Sequence, residues 1–204
     1  MILLVNGSPR NDGVTNHALD IFNDKLGDCI KLQVPPTFSP CINCRQCKVN
    51  HTFCDEFVEE FVNLAKDCDG VVMGSPVYYG GITSQMKSFL TKLFYSNPKC
   101  LELKPIVTFV SSRRCGSLLA LSEFNAPFLM HSGILIGSTY WNEVYGDNPQ
   151  EMDLDYEGIQ TIENCCDNLK FVVESLKGKD KPIHNNIRHL NFISREYQSL
   201  LKEK

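Results

Sequence analysis

The chain has 204 residues, 43% of them hydrophobic and 22% charged, which suits one compact domain and leaves too little for two. Lys plus Arg total 20 against 24 Asp plus Glu, so the net charge of -4 excludes the broadly basic surface that nucleic acids require. The apolar start MILLV has no basic flank and is far shorter than the roughly 20 residues of a membrane span, so a cytoplasmic protein without a membrane partner is expected.

In chain order, residues 1–6 (MILLVN) read as a strand buried on both faces, closed by the loop GSPRNDG. A helix over 15–26 follows, with Leu19, Phe22 and Leu26 on one face and Thr15 available as a cap. The alternation repeats with strands predicted at 29–34, 70–75, 105–111 and 133–139, and helices at 57–65, 83–95, 117–131 and 154–176. Five strands separated by helices predict a three-layer α/β domain over 1–176 with a doubly wound, five-stranded parallel sheet. Such sheets bind ligands at the carboxyl ends of the strands, beside the topological switch point. Residues 35–54 form a Pro- and Cys-rich insertion after the second strand, of a length that usually signals function. Residues 140–152 read as a second long loop, and the polar tail 177–204 as a terminal helix that packs on a neighbour.

The first loop, NGSPRNDGVTN (6–16), offers the hydroxyls of Ser8 and Thr15, the amide of Asn16, the charge of Arg10 and the amides of a helix N-terminus. A phosphate monoester needs that combination. The loop lacks the lysine and spacing of a nucleoside-triphosphate loop and is not a dinucleotide fingerprint; the competing reading is a plain βα turn. The loop after the third strand, GSPVYYGG (74–81), pairs two glycines that allow close backbone approach with tyrosines able to lie on a flat ring. A flavin would use both, whereas a hairpin-like turn with half-exposed tyrosines uses neither.

With these loops at the ends of successive switch-point strands, the chain resembles the flavodoxin-like family of NADPH-dependent FMN reductases, in its iron-sulfur flavoprotein subgroup. The resemblance covers roughly 1–175 through NGSPRNDGVTN, GSPVYYGGITSQMK, SSRRCG (111–116), GSTYWNEVYG (137–146) and DYEGIQT (155–161). It implies that Ser8, Arg10, Gly13, Thr15 and Asn16 bind the FMN phosphate. By the same resemblance Pro76, Val77, Tyr78, Tyr79 and Gly80 border one side of the flavin ring, and Ser112, Arg113, Arg114 and Gly116 the other. Arg113 and Arg114 equally suit solvated loop charges or contacts to an NADPH phosphate. The family further implies a homodimer or homotetramer. Thr91-Lys92 and Cys54-Asp55-Glu56 depart from the family's usual Asp-Arg and paired aspartates.

The insertion carries Cys41, Cys44, Cys47 and Cys54 as Cys-x2-Cys-x2-Cys-x6-Cys. Three closely spaced thiolates and a nearby fourth suit a [4Fe-4S] cubane. Four thiolates also satisfy zinc, and unmetallated thiols are the third reading. Cys29, Cys68, Cys100, Cys115, Cys165 and Cys166 lack ligand spacing, and His17, His51, His131, His184 and His189 show none for metal or catalysis. The only tryptophan, Trp141, either walls the pocket or packs on a partner subunit.

The expected activity is an FMN-dependent oxidoreductase that takes reducing equivalents from NAD(P)H and passes them to a flavin, quinone or other small acceptor, with the cofactor supplying the chemistry. No catalytic acid or base is assigned. Two alternatives stand beside it. One is an electron carrier fed by ferredoxin without NAD(P)H turnover, and the other is a colourless, zinc-stabilised interaction module.

Overall fold

In a computed structural model of the chain, residues 1–53 and 55–182 are described; Cys54 and residues 183–204, most of the predicted terminal tail and helix, lie outside them. β1 (Ile2–Asn6) is buried at every position. It leads to α1 (Val14–Leu26) and then to β2 (Cys29–Gln33). The insertion contains one short helix, α2 (Gln46–Val49), before α3 (Glu56–Asp67). β3 (Gly70–Pro76), α4 (Ser84–Ser96), β4 (Pro105–Ser112) and α5 (Ser117–Met130) follow. The chain then passes through β5 (Ile134–Leu135), β6 (Glu143–Tyr145) and α6 (Pro149–Met152) to the long α7 (Tyr156–Leu176).

The strands lie in the order β2-β1-β3-β4-β5, with every pairing parallel. The chain steps from β1 outward to β2 and returns on the opposite side of β1 as β3, so the switch point falls between β1 and β3. A crevice is therefore expected beyond Asn6 and Pro76. Alternate residues of one strand serve opposite layers. Leu3 and Val5 enter the core under α3, α4 and α5 with Phe57, Phe61, Phe89 and Phe124, while Ile2 and Leu4 join Phe22 and Leu169 under α1 and α7. Both faces are covered, which is why apolar runs rather than alternating patterns spell the strands. No helix among the described residues is long and apolar enough to cross a membrane.

The fifth strand departs from expectation. Only Ile134 and Leu135 pair with β4, and the chain leaves the sheet before returning as β6 beside Val110, Ser111 and Ser112. The long loop predicted over 140–152 thus holds both a strand and α6. Asn142 splices the break, its Nδ2 donating to Thr108 O at 3.0 Å and Ile136 O at 3.1 Å. α7 supports the excursion: Asn168 Nδ2 donates to Gly137 O at 2.8 Å, and Ser138 Oγ donates to Thr161 O at 2.7 Å. These bonds join residues far apart in sequence, so periodicity does not show them. A smaller correction falls at α1, which begins at Val14 after the N-cap Gly13, placing Thr15 inside the first turn rather than at the cap.

Candidate functional site

The crevice beyond β1, β3 and β4 is an open cleft. Ser8, Arg10, Gly13 and Thr15 form its floor; Pro76, Val77 and Tyr78 form one wall, and Ser112 and Arg113 another. On the floor, Ser8 is buried, its amide donating to Asn6 Oδ1 at 2.9 Å and its Oγ accepting from the Arg10 amide at 3.2 Å. Thr15 is also buried and shares a 2.8 Å hydrogen bond with Ser111 Oγ, which ties α1 to β4. The Arg10 side chain lies over Gly13 so closely that a Cβ there would stand 3.2 Å from Nε. Its terminal nitrogen donates to Asp147 O at 3.4 Å.

The second loop is a tight hairpin. Tyr78 and Gly81 exchange backbone hydrogen bonds of 2.8 and 3.1 Å, and Tyr79 and Gly80 between them have φ of 52° and 80°. That is the backbone of a type I′ turn, in which Gly80 is at ease and Tyr79 is strained. Glu123 on α5 stabilises the turn by accepting from the Ile82 amide at 3.0 Å. Thr83 ties it to the floor: its Oγ1 donates to Gly7 O at 2.7 Å and accepts from the Met86 amide at 3.1 Å. The third loop touches the second at Gly116, whose φ is 99° and whose missing Cβ would stand 3.4 Å from Gly80 Cα and 3.5 Å from Val77 Cγ1. Gly116→Ala is therefore expected to lose about 1–2 kcal/mol of stability, read by urea unfolding, because alanine is strained at that φ.

Not every predicted residue reaches the cleft. Asn16 turns along its helix and donates to Asp20 Oδ2 at 3.2 Å. Tyr79, Gly80, Arg114 and Gly116 lie off the lining; Tyr79 projects fully into solvent, and the two glycines shape the wall from behind. Trp141 lies off it too and is half-exposed against Tyr140, with ring centroids 5.1 Å apart. Conversely, Val14, Ser111, Gly146 and Asp147 line the cleft without having been singled out. Gly146 and Asp147 arrive through β6, with the Gly146 amide donating to Ser112 O at 3.0 Å; their only sequence signal is the signature segment that contains Gly146. Behind this wall Tyr145 donates to Glu143 Oε1 at 3.0 Å. Burial pushes its phenol above the ordinary value, a hydrogen bond to Ser117 pulls it back, and the Glu143 carboxylate pushes it up again.

Helix caps separate this cleft from the rest of the surface. Asp55, Thr83, Asn148 and Asp155 cap α3, α4, α6 and α7 with their side chains. α1 and α5 instead begin at Gly13 and Gly116, with no side-chain cap and no acidic residue in the first turn. An uncapped first turn leaves amide donors and the positive dipole end available to an anion or an electron-rich edge. Gly13 lines the cleft and Gly116 backs its wall. A phosphate at α1 and a polar ring edge towards α5 match this donor set, so the residues present fit FMN.

The cysteine loop forms a second site against α4. Cys41, Cys44 and Cys47 line one cavity together with Lys92 and Tyr95. Asn43 and Arg45, which flank Cys44, have φ of 54° and 62°. Left-handed residues alternating with ordinary ones turn successive amides to one side, a concavity used at iron-sulfur sites. Among the described residues no three His, Cys, Asp or Glu are drawn to coordination spacing, and Cys54 lies outside them. The donor chemistry and the turned backbone nevertheless suit a thiolate-held cluster. Three other cysteines differ, since burial pushes Cys100, Cys165 and Cys166 up to about 12 and keeps them as thiols. Two of the described histidines fit structural roles: His131 stacks on Phe94 at 4.4 Å and His17 pairs with Asp153 at 2.7 Å.

The comparisons agree with this geometry. Residues 1–146 match the family described as NADPH-dependent FMN reductase. An iron-sulfur flavoprotein of Methanocaldococcus jannaschii is 26% identical over 86% of this chain and 98% of its own length. Another, from Clostridioides difficile, is 24% identical over 95% of this chain and 87% of its own. Among solved structures, a flavodoxin, WrbA-like protein from Agrobacterium tumefaciens superposes with a TM-score of 0.63 at 14% identity, covering 86% of this chain and 98% of that one. RosB, with a bound formylriboflavin phosphate, gives 0.65 at 13% identity, covering 94% and 95%; these two likenesses concern the fold. A match over residues 1–146 shows that the chain is an oxidoreductase of the NADPH-dependent FMN reductase family, similar over most of its length to relatives named iron-sulfur flavoproteins.

Proposed function

We propose that this chain binds FMN in the cleft, with the phosphate at the α1 N-terminus, and moves electrons between that flavin, a small acceptor and a [4Fe-4S] cluster on the cysteine loop. The observation that carries the reading is that, among the described residues, the two glycine-started, uncapped long helices begin at this cleft, α1 on its floor and α5 directly behind its wall. Ser8 and Thr15 are the hydroxyl donors to the phosphate, and Arg10 places its charge beside them. Pro76, Val77 and Tyr78 line one wall and would exclude water from one face of the ring, while Arg113 lines another, from which its charge would favour the anionic reduced ring. When bound, FMN supplies the hydride and single-electron chemistry; the protein places it and tunes its charge. Cys41, Cys44, Cys47 and Cys54 are the ligands that would hold the cluster.

NAD(P)H is the donor in this reading and a quinone, flavin or similar small molecule the acceptor. The exposed Cys44 and Ile42 favour a second reading, in which a ferredoxin docks at the loop and feeds electrons without NAD(P)H turnover. Leu118, Leu119 and Met130 are exposed apolar residues of α5 and support assembly as a homodimer or homotetramer; the reading places the protein in the cytoplasm. The test is anaerobic purification followed by FMN, iron and sulfide analysis and steady-state NAD(P)H oxidation. FMN near one per chain with iron near four supports the two-site reading. FMN with fewer than about three irons removes the cluster. Both cofactors without NAD(P)H oxidation selects the ferredoxin-fed carrier.

A further inference from the structure

α4 connects the two sites. Its N-cap Thr83 holds the floor of the cleft, and its last turns carry Lys92 and Tyr95 to the cysteine cavity. It also stitches the insertion in place: Gln85 Nε2 donates to Pro36 O at 3.0 Å, and the Tyr95 hydroxyl donates to Asn43 Oδ1 at 3.2 Å.

Lys92 stands apart from the other basic residues among the described residues because its side chain is only 7% exposed. Its ammonium donates to Asp55 Oδ2 and Ser39 Oγ, both at 3.1 Å, and lies 4.5 Å from the Phe38 ring centroid. The two segments that depart from the family pattern, Thr91-Lys92 and Cys54-Asp55-Glu56, thus meet through Lys92 and Asp55. Their arrangement is polar. Lys92 lines the cavity of Cys41, Cys44 and Cys47, whereas Asp55 lines a separate depression with Pro35, Glu56 and Glu60. The positive end of the pair therefore faces Cys41, Cys44 and Cys47, while Asp55 follows Cys54 directly in the chain. Arg45 also lines the cavity and Lys48 lies over Tyr95, but both are exposed and screened, while no carboxylate lines it. A buried charge in a paired position often adds little stability over an apolar substitute.

We propose that Lys92 is the fixed counter-charge of the cysteine loop, a positioning residue that favours an anionic thiolate-held cluster and raises its reduction potential, with Asp55 opposing it from behind. The inference rests on the reading of the loop as a cluster site. Adding one electron to such a cluster adds one negative charge, so a cation held beside it attracts the reduced form more strongly than the oxidised form.

The test uses the full chain, purified anaerobically with FMN, and reads iron per chain and the cluster potential by dithionite titration followed by electron paramagnetic resonance. Lys92→Met is expected to move the potential negative and to lose iron faster on gel filtration. Asp55→Asn keeps a capping side chain on α3 and is expected to move the potential positive. Lys92→Arg is expected to stay near the parent. Should Lys92→Met fail to fold, the double variant Lys92→Met/Asp55→Asn leaves no buried charge unpaired, and its potential is expected to lie negative of Asp55→Asn. A latch without an electrostatic role would move Lys92→Met and Asp55→Asn alike or not at all, and either result overturns the proposal. Parent protein with FMN but fewer than about three irons removes the cluster reading and this inference together; normal iron with unshifted potentials removes only this inference.

Discussion

Arg10→Ala combined with Thr15→Val is expected to weaken FMN binding roughly 30- to 150-fold, measured by quenching of flavin fluorescence on titrating the apoprotein. The size follows from losing one charge-assisted contact and one hydroxyl donor, together about 2–3 kcal/mol. Arg10 is exposed, so solvent screens its share. Thr15 is buried, and valine fills its volume while leaving Ser111 Oγ without the 2.8 Å partner it has in the parent. Ser111→Ala with Thr15 intact separates the two causes, since it removes the same tie between α1 and β4 but keeps the phosphate donor. An unchanged dissociation constant in the double variant would place the phosphate elsewhere.

Gly7→Ala is expected to cost about 1–3 kcal/mol of stability and to lower the melting temperature by roughly 3–10 °C. A Cβ on Gly7 would stand 2.6 Å from Met86 Cε and 2.9 Å from Gly74 O. The methionine end can swing away, but the carbonyl belongs to β3 and accepts the Gly7 amide at 2.8 Å. Relief must therefore open the β1-β3 seam at the switch point, beneath the cleft. The same substitution disturbs the Thr83 Oγ1 bond to Gly7 O, so FMN retention should fall along with stability. A variant that unfolds at the parent temperature would show that the close approach is dispensable.

The legible parts of this protein are those whose signal is local. β1, β3 and β4 are buried on both faces, and each is a run of apolar residues closed by a turn. The loops after β1 and β3 carry their hydroxyls, glycines and tyrosines as contiguous motifs, and Ser8, Arg10, Gly13, Thr15 and Pro76–Tyr78 line one cleft together. Asn16 and Arg114 share the same motifs yet face away, because a motif names neighbours in sequence while helix and turn geometry decides which of them meet the cleft. The divided fifth strand was hidden for a related reason. Two paired residues at β5 and three at β6 are too few for a period-2 pattern, and the segment between them is held by Asn142 and by α7.

The sequence by itself determined the layered parallel sheet, the order of the flavin motifs and the spacing of the cysteines, since each is written in residues close along the chain. Only the tertiary structure decided that Thr15 meets Ser111, that Gly116 backs Gly80, that β6 brings Gly146 and Asp147 to the cleft, and that Lys92 meets Asp55 beside the cysteine cavity. Those partners lie tens of residues apart, and their meeting depends on which helices the buried phenylalanine core sets against one another.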